Sequence, residues 1–198
     1  MKLLIFLLLL SPSLHAEEVI KIVALGDSLT EGYGIDQKDA YPALLEEALN
    51  KKGKKVKVYN AGISGSTTAS APKRLKWFLK LKPQILILAL GANDGLRGVP
   101  IESTRANLKE TIEMAKKQNI KVLLTGMMLP SNYGKKYTDD FRKLFPSLAK
   151  EMKVKLMPFL LKDVATIKDL NLADGIHPNE KGHKIMVKNI LPEVEALL

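Results

Sequence analysis

Ile20-Lys21-Ile22-Val23-Ala24-Leu25-Gly26-Asp27-Ser28-Leu29-Thr30 joins a short branched apolar run to a polar turn. The run, 20–25, is shorter than an ordinary helix and mostly apolar without alternation, the pattern of a strand buried on both faces of a parallel sheet. Four more runs of this kind follow at 56–59, 85–90, 122–125 and 154–157. Between them, apolar residues recur at helical spacing. Leu44, Leu45, Ala48 and Leu49 share a face of 41–52, and Gly53 is placed to stop that helix. Leu75, Phe78 and Leu79 do the same in 69–81, and Leu108, Ile112 and Ala115 in 103–117. A helix is predicted over 138–152, with Pro146 expected to kink or break it. The last helix should start near Asn179, a good capping residue, with Pro192 placed to bend it. Five strands separated by helices predict an α/β protein: a three-layer α/β/α sandwich of flavodoxin-like type on a five-stranded parallel sheet. Ligands bind such sheets beyond the carboxyl ends of the strands, so functional residues should follow strands.

Ser28 meets that condition. It follows the first run directly, Gly26 permits a tight turn, and the segment after Ser28 can open a helix. Taken alone, this turn also suits a serine cap or a phosphate-binding loop. A serine nucleophile needs a base, and only three histidines exist: His15, His177 and His183. His15 falls in a leader-like segment. His183 sits inside the predicted last helix without a nearby acid and reads as structural or surface. His177 lies in Asp174-Gly175-Ile176-His177-Pro178-Asn179, where a carboxylate three residues away can orient an imidazole and stabilise its protonated form. The pair could equally be metal ligands lacking a visible third partner, or a turn that caps the last helix. Two more post-strand loops, Asn60-Ala61-Gly62-Ile63-Ser64-Gly65 and Gly91-Ala92-Asn93-Asp94-Gly95, offer oxyanion donors: the amide of Gly62 and the side-chain amide of Asn93, joined by the amide of Ser28. Apolar residues at 96–100 and 127–133, Leu96, Leu129 and Pro130 among them, suit acyl chains at the mouth of such a site, with Asp27 as a further substrate contact.

The 198 residues suit one domain, and the absence of cysteine excludes disulfides, a thiolate nucleophile and a thiolate zinc site. Lys2, the uncharged run 3–10, the break Ser11-Pro12-Ser13 and the small Ala16 follow the order of a secretory signal peptide. Residues 1–16 are therefore expected to be a leader and 17–198 the working domain, exported to the periplasm or beyond. The run is too short for a comfortable permanent span, so no stable membrane insertion is expected. Removing Lys2 and no acid takes the formal net charge from +10 to +9. The lysines are scattered and no aromatic residues interleave them, which reads as a solvated rim rather than a nucleic-acid surface. Aromatics are few, and Trp77 falls on a predicted helix, so the stacking platforms of a sugar-binding cleft are not evident.

The blocks Gly26-Asp27-Ser28-Leu29, Gly62, Gly91-x-Asn93-Asp94 and Asp174-x-x-His177-Pro178, in this order across nearly the whole mature chain, resemble the SGNH (GDSL) hydrolase family. The segments 93–98, 129–134 and 174–179 look closest to its periplasmic thioesterase, lysophospholipase and arylesterase branch. The resemblance implies the SGNH hydrolase fold, Ser28 as nucleophile, His177 as base and acid, Asp174 as its orienter, and Ser28, Gly62 and Asn93 as the oxyanion hole. Gly62 is one departure from the family pattern. The implied donor there is a backbone amide. It further implies action on a small acyl ester or thioester, with no metal and no organic cofactor, and a monomer is expected. The alternatives left open are a carbohydrate O-acetyl esterase of the same family and, in another class, a non-catalytic flavodoxin-like phosphate-binding module.

Overall fold

Five parallel strands run side by side in the order β2-β1-β3-β4-β5, with β1 at Ile20–Gly26, β2 at Val56–Gly62, β3 at Ile85–Ala89, β4 at Lys121–Thr125 and β5 at Lys155–Met157. This is a computed structural model, and it describes residues 18–198; the expected leader at 1–16 lies outside them. β3 is buried at every position, and β1 is buried from Ile22 onward, because helices cover both faces. On one face α2 (Tyr41–Lys51) packs against α7 (Glu180–Glu195). On the other α3 (Ala71–Phe78), α5 (Ile101–Lys117) and α6 (Lys135–Met152) lie in sequence. The core interleaves strand residues such as Ile22, Leu25, Ile87 and Leu88 with Leu45, Leu75, Phe141, Phe145 and Met186 from the helices. Two short helices, α1 (Ser28–Glu31) and α4 (Ala92–Leu96), follow β1 and β3 immediately.

The strand order reverses at β1, which leaves its two neighbours departing in opposite directions. That is the topological switch point, where a crevice opens beyond the carboxyl ends. Neither proline breaks its helix. Pro146 and Pro192 lie on exposed faces of α6 and α7, where water can solvate the carbonyl that loses its partner. β2 runs three residues past the predicted 56–59, and its last residue, Gly62, pairs in register with Gly26. Gly62 is thus the end of a strand and not part of a loop. No helix among the described residues is long and apolar enough to cross a membrane.

Candidate active site

Ser28 opens α1 at the carboxyl end of β1, and Asp27 caps that helix by accepting from the Leu29 N–H at 3.1 Å. The His177 Nε2 atom stands 3.0 Å from Ser28 Oγ. The other ring nitrogen, Nδ1, is 2.7 Å from Asp174 Oδ2. The loop that carries both residues braces itself. Asp174 Oδ1 accepts from the backbone N–H of Ile176 and of His177, each at 3.0 Å, and the Leu172 N–H donates to the His177 carbonyl at 2.7 Å. Partial burial pushes the Asp174 carboxyl up, but bonds from the His177 ring and these two backbone N–H groups outweigh it and hold the carboxyl at about 2. An ionised carboxylate only accepts, so the ring proton sits on Nδ1 and the Nε2 lone pair faces the serine hydroxyl. Tyr33 lies against the imidazole, with ring centroids 4.5 Å apart.

These groups open on a cleft of about 560 Å³. Its walls are mainly apolar: Leu96 from α4, Met127 to Pro130 after β4, Phe159 and Leu161 after β5, and Ile176 beside the histidine. Asn93 lines it from α4. The Asn93 Nδ2 group donates to the Ser66 carbonyl at 3.1 Å and comes within 3.5 Å of Asp27 Oδ2. Asp94, next in sequence, is buried. It accepts from the Thr68 N–H at 2.9 Å and the Thr68 hydroxyl at 2.5 Å, which ties α4 to the loop after β2. Ser28, Asn93, Asp174, His177, Leu96, Leu129 and Pro130 are therefore gathered at one crevice, on four separate connections. No group of three or more His, Asp or Glu poised for a metal ion occurs among the described residues.

The GDSL-like lipase/acylhydrolase family model matches residues 24–185, a span that includes all of these groups. The chain belongs to that family. As a GDSL-family member it is an ester hydrolase with the SGNH fold. The chain is 36% identical over 192 residues to an arylesterase of Vibrio mimicus, covering 96% of this chain and 95% of that protein. It is 35% identical over 194 residues to thioesterase 1/protease 1/lysophospholipase L1 of Escherichia coli K12, covering 98% and 92%. The crystal structure of TesA superposes with a TM-score of 0.87 at 35% identity, covering 90% of this chain and 99% of that one.

Two residues of this GDSL-family chain stand where the sequence did not lead us to expect them. The Gly62 N–H does not face the cleft. It donates to Asn60 Oδ1 at 2.9 Å, and a Cβ at Gly62 would come within 2.1 Å of the Glu31 nitrogen. Glycine is needed there for close packing of strand against helix. Gly65, three residues on, lines the cleft instead, and its N–H has no acceptor among the described residues. Asp27 is also no part of the cleft wall, being 1% exposed beneath the serine. Burial raises its carboxyl to about 6, against the pull of the Leu29 N–H and the charges of His177 and Arg74. A sequence signal for the first correction existed. Asparagine commonly bonds the backbone N–H two residues on, so Asn60 was placed to consume that of Gly62. Met127 and Met128 fall in the apolar stretch 127–133 expected at the mouth, whereas Tyr33, Phe159 and Ile176 carried no local signal, since the packing of the connections after β1 and β5 brings them to the cleft.

Proposed function

We propose that the protein cleaves esters and thioesters of acyl chains through an acyl-enzyme on Ser28. The observation that carries this reading is the relay from Asp174 Oδ2 through His177 to Ser28 Oγ, with steps of 2.7 and 3.0 Å, opening on an apolar cleft. His177 Nε2 takes the hydroxyl proton as Ser28 Oγ attacks the substrate carbonyl carbon. Asp174 stabilises the imidazolium that forms. The oxyanion is received by the N–H of Ser28, the N–H of Gly65 and the Asn93 amide, whose second hydrogen is held only by the long approach to Asp27. Each such donor is worth on the order of a hundredfold in rate. The imidazolium then gives its proton to the departing alcohol or thiol. Water, deprotonated by the same His177, attacks the acyl-serine and frees the acid.

The apolar walls supply what an acyl chain needs and what an acetyl group would leave unused, which favours medium or long chains. A phosphate-binding module has no use for the imidazole–carboxylate pair. The chain is exported through residues 1–16, as the order of charge, apolar core and small residue in the leader supports, and acts as a monomer, as a relay completed within one chain supports. The deciding experiment measures hydrolysis of p-nitrophenyl esters from acetyl to palmitoyl, and of acyl-CoA, by residues 17–198 beside Ser28→Ala. We expect a peak at medium or long chains and a loss of roughly 10⁴- to 10⁶-fold in the folded variant. A peak at acetyl would favour the carbohydrate-esterase alternative. Turnover by Ser28→Ala equal to wild type would overturn the acyl-enzyme reading.

A further inference from the structure

The loop after β2 ends in a reverse turn, Ile63-Ser64-Gly65-Ser66, closed by the Ser66 N–H donating to the Ile63 carbonyl at 3.1 Å. Gly65 occupies its third position with φ +74°, the value a type II turn requires there. Types I and II differ by a flip of the central peptide, here Ser64–Gly65. In one orientation that peptide presents the Gly65 N–H on a given side; in the other it presents the Ser64 carbonyl. A donor to an oxyanion would be exchanged for a second negative dipole, so the orientation of this peptide sets whether the cleft can hold developing charge.

Two side chains grip the turn on either side of that peptide. The Ser64 N–H donates to Glu31 Oε2 at 2.7 Å, and the Ser64 hydroxyl donates to the same oxygen. On the far side the Arg97 guanidinium donates to the Gly65 carbonyl at 2.9 Å. Glu31 is the last residue of α1 and Ser28 is the first. One turn of helix therefore carries the nucleophile at one end and the clamp on the oxyanion loop at the other. The Glu31 backbone also lies directly under Gly62, which leaves the root of the loop no room to shift toward it. We infer that Glu31 is a positioning residue: through Ser64 it holds the Ser64–Gly65 peptide with its N–H toward the cleft, at a distance from Ser28 set by the length of α1. The inference rests on the reading of Ser28 as nucleophile and of the Gly65 N–H as an oxyanion donor.

The test uses residues 17–198 with Glu31→Ala, Glu31→Gln and Ser64→Ala, assayed on p-nitrophenyl butyrate and inhibited by butaneboronic acid. The boronic acid takes Ser28 Oγ onto boron, with the proton passing to His177, and so places a boron-bound oxygen where the oxyanion forms. Misaiming one donor gives a loss approaching that of removing it. We expect Glu31→Ala to lower kcat about 10- to 100-fold with KM within twofold of wild type, and to raise the inhibition constant of the boronic acid by the same factor. Glu31→Gln, whose amide oxygen can still accept from Ser64, should recover most of both. Ser64→Ala, which keeps its N–H, should lose less than Glu31→Ala. Wild-type kcat in Glu31→Ala, a fall in kcat without a matching weakening of the boronic acid, or no recovery in Glu31→Gln would each overturn the inference. Should Glu31→Ala fail to fold, unchanged kcat and inhibition in both remaining variants would do the same. Labelling of wild-type Ser28 by a fluorophosphonate separates the two readings. Absence of label sinks both, whereas label together with an unaffected Glu31→Ala sinks this one alone.

Discussion

The loop carrying His177 and the first turns of α7 carrying His183 are six residues apart, and each sets its histidine beside a tyrosine. His177 faces the cleft. Its Nδ1 is bonded to an ionised carboxylate, its Nε2 meets a hydroxyl, and the half-exposed Tyr33 ring lies over it. His183 is 1% exposed, and its Nδ1 accepts the N–H of Tyr41 at 3.0 Å while the buried Tyr41 ring stacks beside it. Tyr41 opens α2, so its N–H has no partner within the helix, and the preceding Ala40 has no side chain that could supply one. His183 fills that place from α7. Burial pushes its imidazole down to about 4, and a helix N-terminus disfavours a cation as well. The same residue type is placed to act as a base in one setting and is a neutral helix cap in the other. What differs is the partner on each nitrogen and the access of solvent.

Exchanging each histidine tests this contrast most directly. His177→Ala should lower kcat by roughly 10⁴- to 10⁶-fold while Tm stays within a few degrees of wild type. His183→Ala should do the reverse, destabilising by about 3 kcal/mol through the orphaned Tyr41 N–H and the cavity left behind, with kcat per folded molecule within twofold. Loss of kcat in a well-folded His183→Ala would end the distinction.

A smaller effect lies in the pH dependence of stability. The folded pKa of His183 is below its unfolded value of 6.5, so its contribution is complete above 6.5 and is lost as pH falls toward 4, by about 3 kcal/mol. Asp27 has the opposite sign. Its folded pKa of about 6 exceeds the unfolded 3.8, so its contribution is complete below 3.8 and is lost by about 3 kcal/mol as pH rises through 6. The two nearly cancel in the wild-type chain between pH 4 and 6. Asp27→Asn, which keeps an acceptor for the Leu29 N–H, should unmask the histidine. Its urea-unfolding stability should exceed that of wild type by a margin that grows from pH 4 to 6 and then levels. A margin independent of pH would show that Asp27 does not titrate in this range.

The smallest expected effect concerns the tyrosines. Tyr33→Leu removes a ring contact worth about 0.5–1.5 kcal/mol. It should lower kcat severalfold without changing Tm, whereas Tyr41→Leu should lower Tm with little effect on kcat. Equal effects on both quantities in the two variants would mean that the cleft tyrosine is merely packing.

The unequal legibility of these groups follows from how far each depends on distant chain. Five branched runs and their intervening amphipathic segments are local patterns, and they imply a parallel sheet wherever they occur. Ser28, Asn93, Asp174 and His177 were visible because each follows a strand or sits in a polar loop whose neighbours already suggest its use. Gly62 was misread because two facts outside its own loop decide its amide: β2 continues to meet Gly26, and Asn60 takes the N–H. Asp27 was misread because the side chain of a helix cap turns back toward its helix, here into the core beneath Ser28.

The amino-acid order alone, then, carried the layer architecture, the edge of the sheet at which chemistry belongs, and the residue types able to perform it, because these depend on periodicity and on neighbours within a few positions. Packing in three dimensions decided the rest. It turned the Gly62 N–H onto Asn60 and brought Gly65 to the cleft, set Glu31 and Arg97 on either side of one peptide, sealed His183 under Tyr41, and built the apolar cleft from connections far apart in the chain. Each of those outcomes depends on which backbone groups remain unpaired and which surfaces remain open once helices and sheet have closed on one another, and such quantities exist only in the folded molecule.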